Sequence, residues 1–308
     1  MKFRDFFGLV LLAAFWGPTF LLIKIGVEAV SPLALTTVRC GSAALFLLGY
    51  CLLTQRSLSA VFPSGKHLLF MAIFGNVVPF LCCAIGETMV QSSTAGIIEG
   101  SVPLIVALFT ALFTPHRRLS KNEILGIAIG FLGILTIFAP DIMQTSGHTE
   151  ERFLGKMFLV VMAVSFAASF VYSKEKLDNV PHIAAVTVQL ILSGLILFLM
   201  TFFIEGRAAF HGFTFKVSAV ALSLGIFGTA IPWCIYFHLI KKGSAAQVSL
   251  AVYLLPVVAV FLGWVFLDET LRWNLWLGVA LILFSLILAS GMLAKRRKTD
   301  HDNPLLRN

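Results

Sequence analysis

The sequence predicts an all-α membrane protein of ten transmembrane helices, arranged as two inverted five-helix repeats. Three observations carry this expectation. The composition is too apolar for a soluble fold, the apolar residues fall into ten stretches of spanning length, and Phe, Gly and Pro positions recur between the two halves of the chain.

Of the 308 residues, 58% are hydrophobic and 12% charged, with a mean hydropathy of +0.94. An ordinary soluble domain is nearer half apolar and one quarter charged. Ten spans of about 20 residues use roughly 200 residues and leave room for short loops, not for a large catalytic or binding domain outside the bilayer. A β-barrel is disfavoured because its strands would alternate polar and apolar residues. The net charge of +8 does not point to nucleic acid, since the basic residues sit in loops and in the tail Lys295 to Lys298. All five cysteines lie inside apolar runs, and no metal-ligand spacing, phosphate-cradling loop or Ser/His/Asp arrangement occurs. Neither a cofactor nor a metal is expected.

The apolar stretches lie near 6–24, 32–53, 67–87, 92–114, 123–139, 155–174, 182–204, 217–240, 245–267 and 274–293. The first, running on from Phe6 to Ile23 without a small-residue cleavage site, reads as helix 1 and not as a leader. With the start inside, sixteen of the 23 Lys and Arg residues fall in inner segments, six fall in outer ones, and Arg39 lies within helix 2. The positive-inside rule then places both termini in the cytoplasm.

Phe74, Gly75 and Pro79 recur as Phe227, Gly228 and Pro232, and Pro103 and Phe113 as Pro256 and Phe266, each 153 residues on. Phe20, Lys24, Thr37 and Val38 recur as Phe170, Lys174, Thr187 and Val188, 150 residues on. Apolar chance does not readily place Pro and Gly at one spacing, so the chain divides into repeats at 6–140 and 155–293. Five helices per repeat is odd, so the copies cross the membrane in opposite senses. Two such halves can exchange shapes and expose a central site to each side in turn, as secondary transporters do.

Helix 1 carries Phe15-Trp16-Gly17-Pro18-Thr19-Phe20 followed by Lys24. Helix 2 starts at Pro32 and holds Arg39, helices 5 and 10 open Leu125-Gly126 and Leu277-Gly278, and helix 9 runs through Pro256 to Leu267-Asp268-Glu269-Thr270-Leu271. In order and spacing these features resemble two repeats of the EamA family in the drug/metabolite transporter superfamily. The resemblance implies a cavity surrounded by helices 1, 3, 4, 6, 8 and 9, and export of a small solute across a bacterial inner membrane. The chain departs from the family pattern in one place: Pro115-His116-Arg117-Arg118 stands where an acidic residue usually ends helix 4, as Glu269 does helix 9.

A charge near mid-bilayer is costly unless paired or hydrated, which singles out Glu99 in helix 4 and Arg39 in helix 2. Each lies eight residues from the outer end of its helix, about 12 Å deep at 1.5 Å per residue. Glu99 is read as a carboxylate for coupling or substrate recognition with Arg39 as its charge partner, the alternative being a structural tie between helices. Trp16, Thr19 and Phe20 share one face of helix 1 and, by the resemblance, line the cavity. Asn76, Tyr172, Trp233, Tyr236 and Tyr253 are further candidates to bind substrate, with interhelical hydrogen bonding the alternative for Asn76. Pro79, Pro103, Pro232 and Pro256 permit kinks and are candidate hinges for alternating access, static curvature being the alternative. Gly126, Gly130 and Gly133 form a small-residue stripe for packing within the monomer or for a homodimer contact. The expected function is secondary transport of a small amphipathic solute such as an amino acid, coupled to a proton or counter-solute. The alternatives are import or exchange of a nucleotide-like or sugar-like solute, and a non-transporting scaffold.

Overall fold

A computed structural model describes residues 11–113, 119–143, 149–235, 245–270 and 272–289, and among them there are helices and no strands. The helices are α1 (Leu11–Val27), α2 (Pro32–Leu53), α3 (Ser59–Met89), α4 (Ser92–Phe113), α5 (Lys121–Met143), α6 (Thr149–Lys176), α7 (His182–Ile204), α8 (Phe215–Ile235), α9 (Ala245–Leu267) and α10 (Trp273–Ala289). Seven of these, α2 to α8, are long and apolar enough to cross a membrane, and α1, α9 and α10 contribute shorter apolar stretches. The connections carry ordinary stop and start chemistry. Ser31 accepts the N–H of Ala34 ahead of Pro32, and Ser120 and Glu123 exchange backbone and side-chain bonds as a capping box at the start of α5.

Many large apolar side chains face outward, among them Phe46, Leu53, Phe131, Leu132, Phe203 and Trp264. Water would penalise that surface; acyl chains solvate it, so the chain is an integral membrane protein. The closest helix pairs each join the first half of the chain to the second: α5 with α10, α2 with α7, α3 with α6, and α4 with α9. The glycine stripe of α5 lies against α10. A Cβ at Gly126 would meet Ala289 and the Ser285 carbonyl, and one at Gly133 would meet Ile282.

Two π-helical turns mark α3 and α8, at Ile73–Val77 and Ile226–Ala230, and the second starts 153 residues after the first. Each precedes a proline by one residue, Pro79 and Pro232. The wide turn shifts the hydrogen-bond register, so Val78 donates to Ile73, and Pro79 has no N–H with which to continue the ladder. The Phe74 carbonyl left over is taken by the Ser165 hydroxyl of α6 at 2.7 Å. Side chains of α7 serve the same turn. Asn76, fully buried, donates to Ser193 at 2.9 Å and accepts from Gln189 at 3.0 Å, while Gln189 also reaches the Met71 carbonyl. Asn76→Ala strands both partners in a buried, lipid-surrounded site. Stability in detergent, read by reversible unfolding, is expected to fall by about 1–2 kcal/mol. Asn76→Asp, which keeps an acceptor for Gln189, is expected to fall by less at acid pH.

Candidate functional site

A cavity of about 620 Å³ runs through the middle of the bundle. It extends to the end that carries Thr110, Lys174, Asp178 and His182, and it stops short of the opposite end, which carries Lys24, Val90 and Glu269. Its walls are aromatic. Trp16 and Phe20 come from α1, Phe80 from α3, Phe166 and Phe170 from α6, and Trp233 from α8. Trp233 meets Trp16 edge-on and Phe170 at an angle, each with ring centroids 6.2 Å apart. Such rings offer flat, polarisable surface to an apolar or amphipathic guest.

These residues are spaced as the halves are. Phe166 and Phe170 lie 150 residues after Trp16 and Phe20, and Trp233 lies 153 after Phe80. Thr19 donates back to the Trp16 carbonyl at 2.5 Å, and Ser169, 150 residues on, donates back to Phe166 at 2.8 Å. Arg39 of α2 donates through Nε to Thr229 in the second π turn at 3.0 Å. Its counterpart Gln189 of α7 donates to Asn76 in the first. Both Arg39 and Gln189 reach the cavity.

Charge breaks this likeness. Position 252, 153 residues after Glu99, is valine, and the counterpart of Arg39 is the neutral Gln189. The Arg39 guanidinium lies 3.8 Å from the centre of the Phe80 ring, which fixes its plane and leaves its terminal nitrogens with no protein partner among the described residues. Glu99 is half-buried at the last position of the first segment of α4, Ser92–Glu99, where Gly100 and Ser101 interrupt the helix before Val102–Phe113. The interruption is tight because α9 presses on it: a Cβ at Gly100 would run into Pro256. Arg39 and Glu99 lie within electrostatic reach but form no ion pair. A cation and a carboxylate therefore face one cavity from separate walls.

The Lys24 end is closed by polar contacts at helix ends. The Lys24 ammonium donates to the carbonyls of Glu87 (2.6 Å) and Val90 (3.0 Å), at the C-terminal end of α3. The Glu269 carboxylate accepts the N–H groups of Ser92 (2.6 Å) and Ser93 (3.1 Å), at the start of α4. Each charge opposes the helix dipole in the favourable sense. Asp268, with φ 50, turns the chain so that Glu269 folds back over Gly263, where a Cβ would strike its carboxylate. Ser31 and Glu205 add a further bond of 2.6 Å at this end.

Of the residues singled out from sequence, Trp16, Thr19, Phe20, Glu99, Arg39, Pro103 and Trp233 line the cavity together. Asn76 and Tyr172 do not. Asn76 is enclosed between α3 and α7, as above, and the Tyr172 hydroxyl bonds to His67 Nδ1 at 2.7 Å while its ring stacks on Phe70. Pro256 packs on the α4 interruption, and Pro79 and Pro232 follow the π turns. Tyr236 and the side chain of Tyr253 lie outside the described residues. Sequence reading passed over Phe80, Phe166 and Gln189, although the repeat spacing from Trp233, Trp16 and Arg39 points to each. It also passed over Glu87, which is completely buried one helical turn from Cys83.

Comparison with known proteins is consistent along the chain. The model of the EamA-like transporter family matches residues 6–139 and again residues 153–291. YedA, an inner membrane transporter of Escherichia coli, is 30% identical over 94% of this chain and 93% of its own. The transporter YoaV of Bacillus subtilis is 22% identical over 94% and 98%, and PagO of Salmonella typhimurium is 29% identical over 82% of each chain. A solved crystal structure superposes with a TM-score of 0.68 over 96% of this chain and all of the other, at 19% identity.

Proposed function

The chain belongs to the EamA-like transporter family and is a membrane transporter, and from that premise we propose that it exports a small amphipathic solute, such as an amino acid, by alternating access. In this reading ten helices span a bacterial inner membrane as two inverted repeats, residues 6–140 and 155–293. Both termini are cytoplasmic, the Lys24 end faces outward, and the structure is the inward-open state. The paired π turns and the cross-bonded Arg39–Thr229 and Gln189–Asn76 contacts support the inverted repeat. Pro79, Pro103, Pro232 and Pro256 serve as hinges, since the π turns and the α4 interruption already lack a full helical ladder beside them.

The observation that carries the substrate class is the unpaired cation and carboxylate facing an aromatic cavity. A zwitterion satisfies both at once, its carboxylate on Arg39 and its ammonium on Glu99, with the remainder against Trp16, Phe20 and Trp233. In the aromatic part of the cavity Arg39 is balanced by Glu99, which suits a diphosphate-bearing solute poorly. Glu99 also carries the coupling role, exchanging its proton or counter-solute for the substrate ammonium.

Liposomes carrying the purified protein and loaded in turn with labelled amino acids, nucleosides and nucleotide sugars test this. Efflux of at least one zwitterionic amino acid is expected when the outside is made acid, and efflux confined to sugar or nucleotide solutes would refute the substrate class. Orientation is tested by an impermeant maleimide on intact cells. A cysteine at Glu28, exposed at the Lys24 end, should react, and one at Lys176, exposed at the other, should react only after permeabilisation.

A further inference from the structure

Glu87 is 0% exposed, and the mechanism above does not use it. Its Oε1 receives the Cys83 thiol at 3.6 Å, and its Oε2 has no partner among the described residues. Lys24 of α1 sits beside it but gives its protons to the carbonyls of Glu87 and Val90, not to the carboxyl. The other charged groups within electrostatic reach of Glu87 are Arg39 of α2 and Glu269 beyond α9, and Glu99 of α4 lies within reach of Arg39. From α6 the neighbours of this turn are Leu159 and the Gly155 carbonyl, while Lys156 is turned to the Ile137 carbonyl. Neither cation bonds the carboxyl: Lys24 is directed to two carbonyls, and Arg39 to Thr229 and the Phe80 ring. An ionised Glu87 would sit in a dry site with one oxygen unpartnered and no cation bonded to it, which favours the neutral, proton-bearing form.

We propose that Glu87 is a proton-binding site that governs the outer side of the carrier, loaded while that side is closed and emptied when it opens. Opening draws α1 away from the end of α3 and admits water. The carboxyl then releases its proton to water, and the carboxylate so formed takes Lys24, freed from the two carbonyls, as its ion partner. Closing reverses each step: the proton returns, Lys24 goes back to the carbonyls, and water leaves. The closed state thus binds one proton more than the open one. The proposal rests on the alternating-access reading, but its test needs no substrate.

Spin labels on Glu28→Cys and Thr88→Cys, both exposed at the ends of α1 and α3, report the separation directly. Cys82 and Cys234 are replaced by serine and Cys83 is kept. From mildly acid to mildly alkaline pH the ratio of long to short distances should rise about tenfold per pH unit before it saturates, as linkage to one proton requires. Glu87→Gln, neutral at every pH, should stay short throughout, and Glu87→Asp should restore the response. In the unsubstituted site, the infrared band of a protonated carboxyl should fade as the long distance grows, which needs no folded variant. A distance that ignores pH, a carboxyl band that does not follow it, or a Glu87→Gln protein that opens as wild type does would each overturn the proposal. Failure to find a transported solute would count against the function and leave this result standing.

Discussion

Glu99→Gln is expected to lower export driven by an acid exterior by about tenfold to a hundredfold, while exchange of labelled for unlabelled solute at equal pH stays within about fivefold of wild type. The substitution keeps the size and hydrogen bonding of the side chain and removes its charge. Gln at this position takes up no proton from the acid exterior, and a lost coupling free energy of about 1–3 kcal/mol corresponds to that range of rates. On the proposed reading exchange survives in part, because Arg39 remains to hold the substrate carboxylate and the aromatic walls are intact. The measurement is efflux and counterflow of the solute identified in liposomes, repeated over a pH series. A Glu99→Gln protein that concentrates solute like wild type with the same pH profile would make Glu99 a structural group.

Glu269→Ala is expected to release the closure at the Lys24 end. It removes the acceptor of two buried N–H groups at the start of α4, each of which costs about 1–3 kcal/mol when left unsatisfied. In the open state water satisfies them, so the penalty falls on the closed state alone. A loss of about 3 kcal/mol shifts the balance roughly a hundredfold toward the state open at this end. Spin labels at Thr88→Cys and Arg272→Cys, exposed on either side of this contact, should then read a longer and broader distance. An unchanged distribution would show that Lys24 and the packing of α4 on α9 hold the end closed without Glu269.

Much of this protein is legible in its sequence because a bilayer imposes simple rules. Apolar runs of spanning length announce helices, and a proline that returns at a fixed spacing announces a repeat. Trp16, Thr19 and Phe20 were legible by helical spacing plus family likeness, and Glu99 and Arg39 because lipid makes a charge conspicuous. What stayed hidden depends on neighbours far along the chain. Asn76 and Gln189, 113 residues apart, meet because a π turn rotates one helix face toward α7. Tyr172 has the chemistry of a cavity residue but is claimed by His67. Glu87 is the last residue of the apolar stretch 67–87, and only the packing of α1, α2 and α6 around it makes it dry.

The Glu269 contact with α4 has a further consequence for how the carrier idles. The position 153 residues before Glu269 is His116, and those 153 residues after Ser92 and Ser93 are both alanine. The repeat-related positions therefore carry neither the carboxylate nor the serines of this clasp. A flawless duplicate would rest equally in both orientations; on the alternating-access reading proposed above, the unmatched contact tilts the resting ensemble so that empty carriers wait with the Lys24 end closed and the site open at the other end. Apparent affinity scales with the fraction of carriers already in the receptive orientation. With the proposed orientation, the same binding site would be sensitive to solute inside and nearly blind to the same solute outside, the behaviour of an overflow valve that responds when an internal pool rises and does not refill the pool from the medium.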